Sequence, residues 1–82
     1  MGSSLFSGMK ARPRGTWTIG DVETVCAQQG LRYYPPRGGG SHAKIQVPGD
    51  RMTLTVPARR TLKPVYIRAI VGLIEARKGR LA

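Results

Sequence analysis

One imidazole occurs in the 82 residues, at His42. Arg37-Gly38-Gly39-Gly40-Ser41 precedes it, and Lys44 follows two residues later. A glycine run of this kind resists helix formation and lets backbone come close to a ligand. Histidine is the side chain most used for proton transfer near neutral pH. Backbone N–H groups in a loop of this type can turn toward a phosphate oxygen. Gly39, Gly40 and Ser41 therefore join His42 as candidate site residues. The bland alternative is an exposed histidine at the start of a strand, with no chemistry attached.

The other chemical inventories are thin. Cys26 shares an apolar helical face with Val22 and Val25, the pattern of a core thiol. The four acids are Asp21, Glu23, Asp50 and Glu75. None pairs with another near His42, so carboxylate-dyad hydrolysis and two-metal chemistry are not expected. One His and one Cys cannot build a His/Cys zinc site. No cofactor is expected. A reaction whose nucleophile is supplied by the substrate fits better. RNA supplies one in its 2′-hydroxyl: a base removes the proton, the oxygen attacks the adjacent phosphate, and cations stabilise the charge that develops. DNA lacks that hydroxyl. A single His leaves the proton donor open among Lys44, a substrate group and water.

Charge points the same way. Fourteen Lys and Arg face four acids, a net charge of +10. A polyanionic partner follows: nucleic acid, an acidic protein or an anionic membrane. Arg37, Lys44, Arg59, Arg60 and Lys63 cluster in sequence around the glycine loop and the start of the last helical segment. Arg68, Arg77, Lys78 and Arg80 fall within or after that segment. Any one of them reads as a solvated surface charge, but four acids cannot balance the set. Tyr33 and Tyr34 could stack on bases, with at least one of them expected in the core.

These residues need a frame. Residues 1–16 combine serines, Gly and Pro breakers and three cations with no acid, and read as a mobile basic tail. Residues 17–82 form one domain. Thr18 is an N-cap with Asp21 three residues on, a capping-box pattern, and Trp17 and Val22 suit a hydrophobic staple. Ile19, Val22, Val25 and Cys26 repeat at helical spacing, and Gly30 closes a helix over 19–29. Strands are predicted over 31–34, 43–47 and 52–56, the last two joined as a hairpin through Pro48-Gly49-Asp50. Alternation turns Ala43, Ile45, Val47, Met52, Leu54 and Val56 inward. It turns His42, Lys44, Gln46, Thr53 and Thr55 outward, with Arg32 and Tyr34. Pro64 opens a second helix, with an apolar stripe at Ile67, Ile70, Val71 and Ile74 and Gly79 as its closing candidate. The fold class is α+β, in the order α-β-β-β-α, with a three-stranded antiparallel sheet and both helices on one face. One Cys excludes an intramolecular disulfide. The apolar run over 69–74 is far short of the roughly 20 residues of a membrane span. No apolar stretch follows the basic start as in a secretory leader. A cytoplasmic location and no membrane partner are expected.

Gly40-Ser41-His42 opening a strand, a hairpin ending Leu54-Thr55-Val56-Pro57, and Leu62-Lys63-Pro64 leading into Ile67-Arg68-Ala69-Ile70 together resemble the HicA family of toxin mRNA interferases. The resemblance covers about residues 18–74. It implies a double-stranded-RNA-binding-domain-like fold, ribosome-independent cleavage of single-stranded mRNA, and neutralisation by an acidic HicB-like antitoxin. The family's catalytic His carries over onto His42. The chain departs from the family at Ala43, where a second His or a polar residue is common, in its longer basic N-terminal stretch, and in a last helix running on to Lys78. A function of another class fits the charge equally: a non-catalytic RNA-binding module, either a double-stranded-RNA reader or a ribosome-associated protein, indifferent to His42.

Overall fold

The computed structural model describes the backbone of residues 4–81 and the side chains of residues 5–77. It is a small α+β fold. Three helices, α1 (Ser4–Ala11), α2 (Ile19–Gln29) and α3 (Pro64–Leu81), accompany strands β1 (Arg32–Tyr34), β2 (His42–Gln46) and β3 (Thr53–Pro57). The strands form one antiparallel open sheet in the order β1-β2-β3.

Local chemistry accounts for the ends of α2. Thr18 Oγ1 accepts from the Asp21 N–H at 3.1 Å, and the Asp21 carboxylate accepts from the Thr18 N–H at 3.0 Å. The reciprocal pair satisfies two donors that a helix start leaves orphaned. Gly30 ends the helix in the left-handed region, at φ 73°. Arg77 Nη1, from the far end of α3, donates to the Gln29 carbonyl at 2.6 Å. A cation thereby sits at the negative end of the α2 dipole.

Alternation sets the two faces of the sheet. Ala43, Ile45, Val47 and Val56 are buried, and Leu54 is half-buried. They join Val22, Val25 and Cys26 of α2 and Ile67, Ile70, Val71 and Ile74 of α3 in one core. The helices thus cover one face, and the opposite face carries Arg32, Tyr34, His42, Lys44, Gln46, Thr53 and Thr55.

Three expectations are corrected. The basic tail expected through Thr16 is helix over Ser4–Ala11; its first residues, 1–3, lie outside the described residues. Phe6 and Met9, three apart, are buried in the common core, and Met9 has no exposure at all. Burial of that pair supplies what so short a helix lacks by itself. Lys10 and Glu75 form an ion pair between α1 and α3. Trp17 closes the connection, its indole N–H donating to the Arg12 carbonyl at 2.8 Å. Met52, expected inward, is 47% exposed. Its N–H is taken by the Asp50 side chain at 3.2 Å, so it belongs to the turn and stands outside the ladder that begins at Thr53. Gly79 does not close α3, which continues to Leu81.

Candidate nucleic-acid interface

Backbone pairing fixes where His42 stands. It is the first residue of β2 and lies opposite Pro57, the last residue of β3. One step earlier the Ser41 carbonyl accepts from the Ala58 N–H at 2.7 Å, which extends the pairing to the sheet edge. The chain reaches His42 through a tight turn. Gly40 N–H donates to the Arg37 carbonyl at 2.7 Å, with Gly38 and Gly39 between them at φ 46° and 80°. Two consecutive positive φ values are the mark of a type I′ turn, which residues with a Cβ rarely adopt. A Cβ on Gly40 would stand 2.9 Å from the Arg37 carbonyl oxygen, so that position also demands glycine. The Gly40 N–H is consumed inside the turn and is not offered to a phosphate.

The His42 side chain is exposed, and its Nδ1 lies 3.1 Å from Ser41 Oγ. It borders two depressions. The larger, about 510 Å³, is lined by Tyr34, Pro35, Arg37, His42, Lys44, Gln46 and Thr53. The smaller, about 200 Å³, is lined by His42, Pro57, Arg59, Thr61, Lys63 and Tyr66. His42 is common to both, a ridge between two hollows.

The second hollow is built by a segment far from β2 in sequence. Ile19 N–H donates to the Arg59 carbonyl at 3.3 Å, and Leu62 N–H donates to the Trp17 carbonyl at 2.8 Å. These bonds hold residues 59–62 against the entry to α2. The Lys63 carbonyl accepts from the Tyr66 and Ile67 N–H groups at 3.0 and 3.4 Å, the first turn of α3. The positive end of the α3 dipole therefore adds to the charge of Arg59 and Lys63.

Of the residues expected from sequence, Arg37 and Lys44 come together with His42 on one side, and Arg59 and Lys63 on the other. Gly39, Gly40 and Ser41 shape the approach. Arg60 is exposed and lines neither depression, as does Arg68. Lys78 and Arg80 lie outside the residues with described side chains. Gln46, Thr53, Thr61 and Tyr66 were not singled out as site residues. Alternation had placed Gln46 and Thr53 on the outer face, but polar outward residues are the ordinary condition of a half-exposed strand.

Cys26 stands apart from this face. It is fully buried, and burial first, then the Glu23 charge, pushes its thiol up to about 12. A thiol in that state is protonated and inert at neutral pH. Among the described residues no three His, Cys, Asp or Glu side chains gather where a metal could be held, and no helix is long and apolar enough to cross a membrane. No protein-family model, curated protein or solved structure matches the chain.

Proposed function

We propose that the chain is an endoribonuclease toxin of the HicA type, with a double-stranded-RNA-binding-domain-like fold, that cleaves single-stranded mRNA using the 2′-hydroxyl of its substrate. The observation that carries this reading is the position of His42. The one imidazole of the chain is exposed on the uncovered face of the sheet, with two cations in the hollow on either side.

The chemistry is assigned as follows. In the tautomer with its proton on Nδ1, His42 donates to Ser41 Oγ, and the lone pair on Nε2 serves as the base. Nε2 takes the ribose 2′-hydroxyl proton. The 2′-oxygen attacks the adjacent phosphorus, the bond from phosphorus to the 5′-oxygen breaks with its electron pair going to that oxygen, and the 5′-oxygen takes a proton from Lys44, a substrate group or water. The products are a 2′,3′-cyclic phosphate and a 5′-hydroxyl end. Lys44 and Arg37 on one side, and Arg59 and Lys63 on the other, hold the backbone and stabilise the charge on the pentavalent phosphate. No step calls for a metal, because the nucleophile belongs to the RNA. A basic nuclease of this kind requires an inhibitor, and an acidic HicB-like antitoxin would meet the same cationic face at a rate raised by charge.

Growth of bacteria expressing the wild-type chain or His42→Ala, with RNA from both cultures examined for cleavage, tests the proposal. Arrest and fragmented mRNA with the wild type alone are expected. Equal toxicity of the two chains, or intact RNA with both, counts against it. Tight RNA binding without cleavage favours the non-catalytic RNA-binding module, for which the same cations suffice.

A further inference from the structure

We infer that the larger hollow is a nucleobase subsite, in which Tyr34 stacks on one unpaired base beside the scissile phosphate and the Gln46 amide reads that base's edge. The inference rests on the nuclease reading for the words "scissile phosphate" alone; a base-binding pocket on this face stands or falls by itself.

The two hollows differ in chemistry as well as size. The smaller is lined by Arg59, Lys63, Thr61 and the hydroxyl-bearing Tyr66 around His42, a lining suited to phosphate oxygens. The larger likewise has two cations, Arg37 and Lys44, and one tyrosine, Tyr34, but adds the Gln46 amide, which the smaller lacks. Its volume of about 510 Å³ falls within the roughly 300–1,000 Å³ typical of small-molecule sites. Tyr34 is 44% exposed although it lies in a strand, so its ring is open to a flat partner. Strand register places Tyr34 directly opposite Lys44, two residues from His42 on the same face. A base on Tyr34 and a phosphate at Lys44 would thus belong to adjoining parts of one strand.

The Gln46 amide is held for reading. The Asp50 carbonyl can only accept, so the group 3.4 Å from it is Nε2; Oε1 therefore faces the Tyr34 hydroxyl, which donates at 3.2 Å. Each bond uses part of the amide's capacity. One Nε2 hydrogen and one Oε1 lone pair remain, a donor and an acceptor, the two functions with which an amide reads a base edge. The same Tyr34 bond fixes ring and amide relative to one another. Stacking alone tolerates every base, so the amide is the group that discriminates.

The test uses the His42→Ala chain, in which any cleavage is slow enough for binding to be read first, and fluorescent single-stranded RNA hexamers carrying one abasic residue at each position in turn. The inference expects one position where loss of the base weakens binding by about tenfold or more, the effect of one lost stack, while the other positions change little. In the Tyr34→Ala, His42→Ala chain that position should lose its distinction. In Gln46→Ala, His42→Ala the penalty for removing the base should persist, while preference among the four bases there should flatten. Uniform abasic penalties, or a distinguished position untouched by either substitution, overturn the subsite. Cleavage by the wild-type chain is scored separately. A distinguished position without cleavage keeps the subsite and sinks the nuclease, and cleavage with uniform penalties does the reverse.

Discussion

Removing one cation from either side of His42 should lower the salt sensitivity of RNA binding by a calculable amount. Four cations line the two hollows: Arg37, Lys44, Arg59 and Lys63. Each contact with a single strand contributes about 0.7 to the slope of log affinity against log salt, so the four together give a slope of about −2.8. Between about 50 and 200 mM salt, affinity should then fall roughly 50-fold. Lys44→Gln or Arg59→Gln should reduce that fall to roughly 20-fold, and the double substitution to roughly sevenfold. Arg68→Gln, on the exposed side of α3 and outside both hollows, should leave the slope in place. Fluorescence anisotropy of a labelled single-stranded RNA, titrated across that salt range with the His42→Ala chain and with the four substitutions made in it, reads all five slopes. An equal lowering of the slope by Arg68→Gln and Lys44→Gln would refute a localised site, because charge would then act diffusely and not at the His42 face. No change of slope with any of the substitutions would refute it equally.

Two further outcomes test the frame that holds this face. Met9→Ala removes a fully buried side chain of α1 and should destabilise the fold by about 2–5 kcal/mol; a midpoint of urea unfolding equal to wild type would show that α1 is dispensable to the core. Cys26 is protonated in the fold with its thiol held up to about 12, whereas the unfolded thiol titrates near the usual value of about 8.5. Below the unfolded value both states hold the proton and the stability is complete. As pH rises toward the folded value the unfolded chain sheds its proton first, so stability falls. The difference in urea midpoint between about pH 8 and about pH 10 should therefore shrink in Cys26→Ala, and an unchanged difference would mean the thiol is not shielded.

What the sequence disclosed was local. The caps of α2 lie within four residues of its ends, so Thr18, Asp21 and Gly30 announce them. The hairpin followed from strict alternation on either side of Pro48-Gly49-Asp50. Helix α1 was hidden because nothing local sustains it. It has eight residues, with Gly8 inside it, and glycine reads as a breaker. Its reason is tertiary: a Cβ at position 8 would stand 2.9 Å from the Trp17 ring. Met52 misled because alternation extrapolates a strand without sensing that the Asp50 side chain captures its N–H. At the site, His42 and the neighbouring glycines stood out by type. The division into two hollows did not, since it depends on residues 59–63 being drawn to Trp17 and Ile19 by backbone bonds that no side-chain pattern reports. Gln46 stayed inconspicuous for the same reason, its partners being twelve residues back and four ahead.

The claim that His42 activates the substrate's own hydroxyl has one direct measurement. A short RNA with a mapped cleavage site is synthesised twice, once as ribose throughout and once with a single 2′-deoxyribose on the 5′ side of the scissile phosphate. The wild-type chain should cut the first to a 2′,3′-cyclic phosphate and leave that bond intact in the second. His42→Ala should cut the first more slowly by about 10²–10⁴-fold, the usual contribution of a general base. Cleavage of the deoxy-substituted bond at the wild-type rate, or full activity of His42→Ala, would contradict the account.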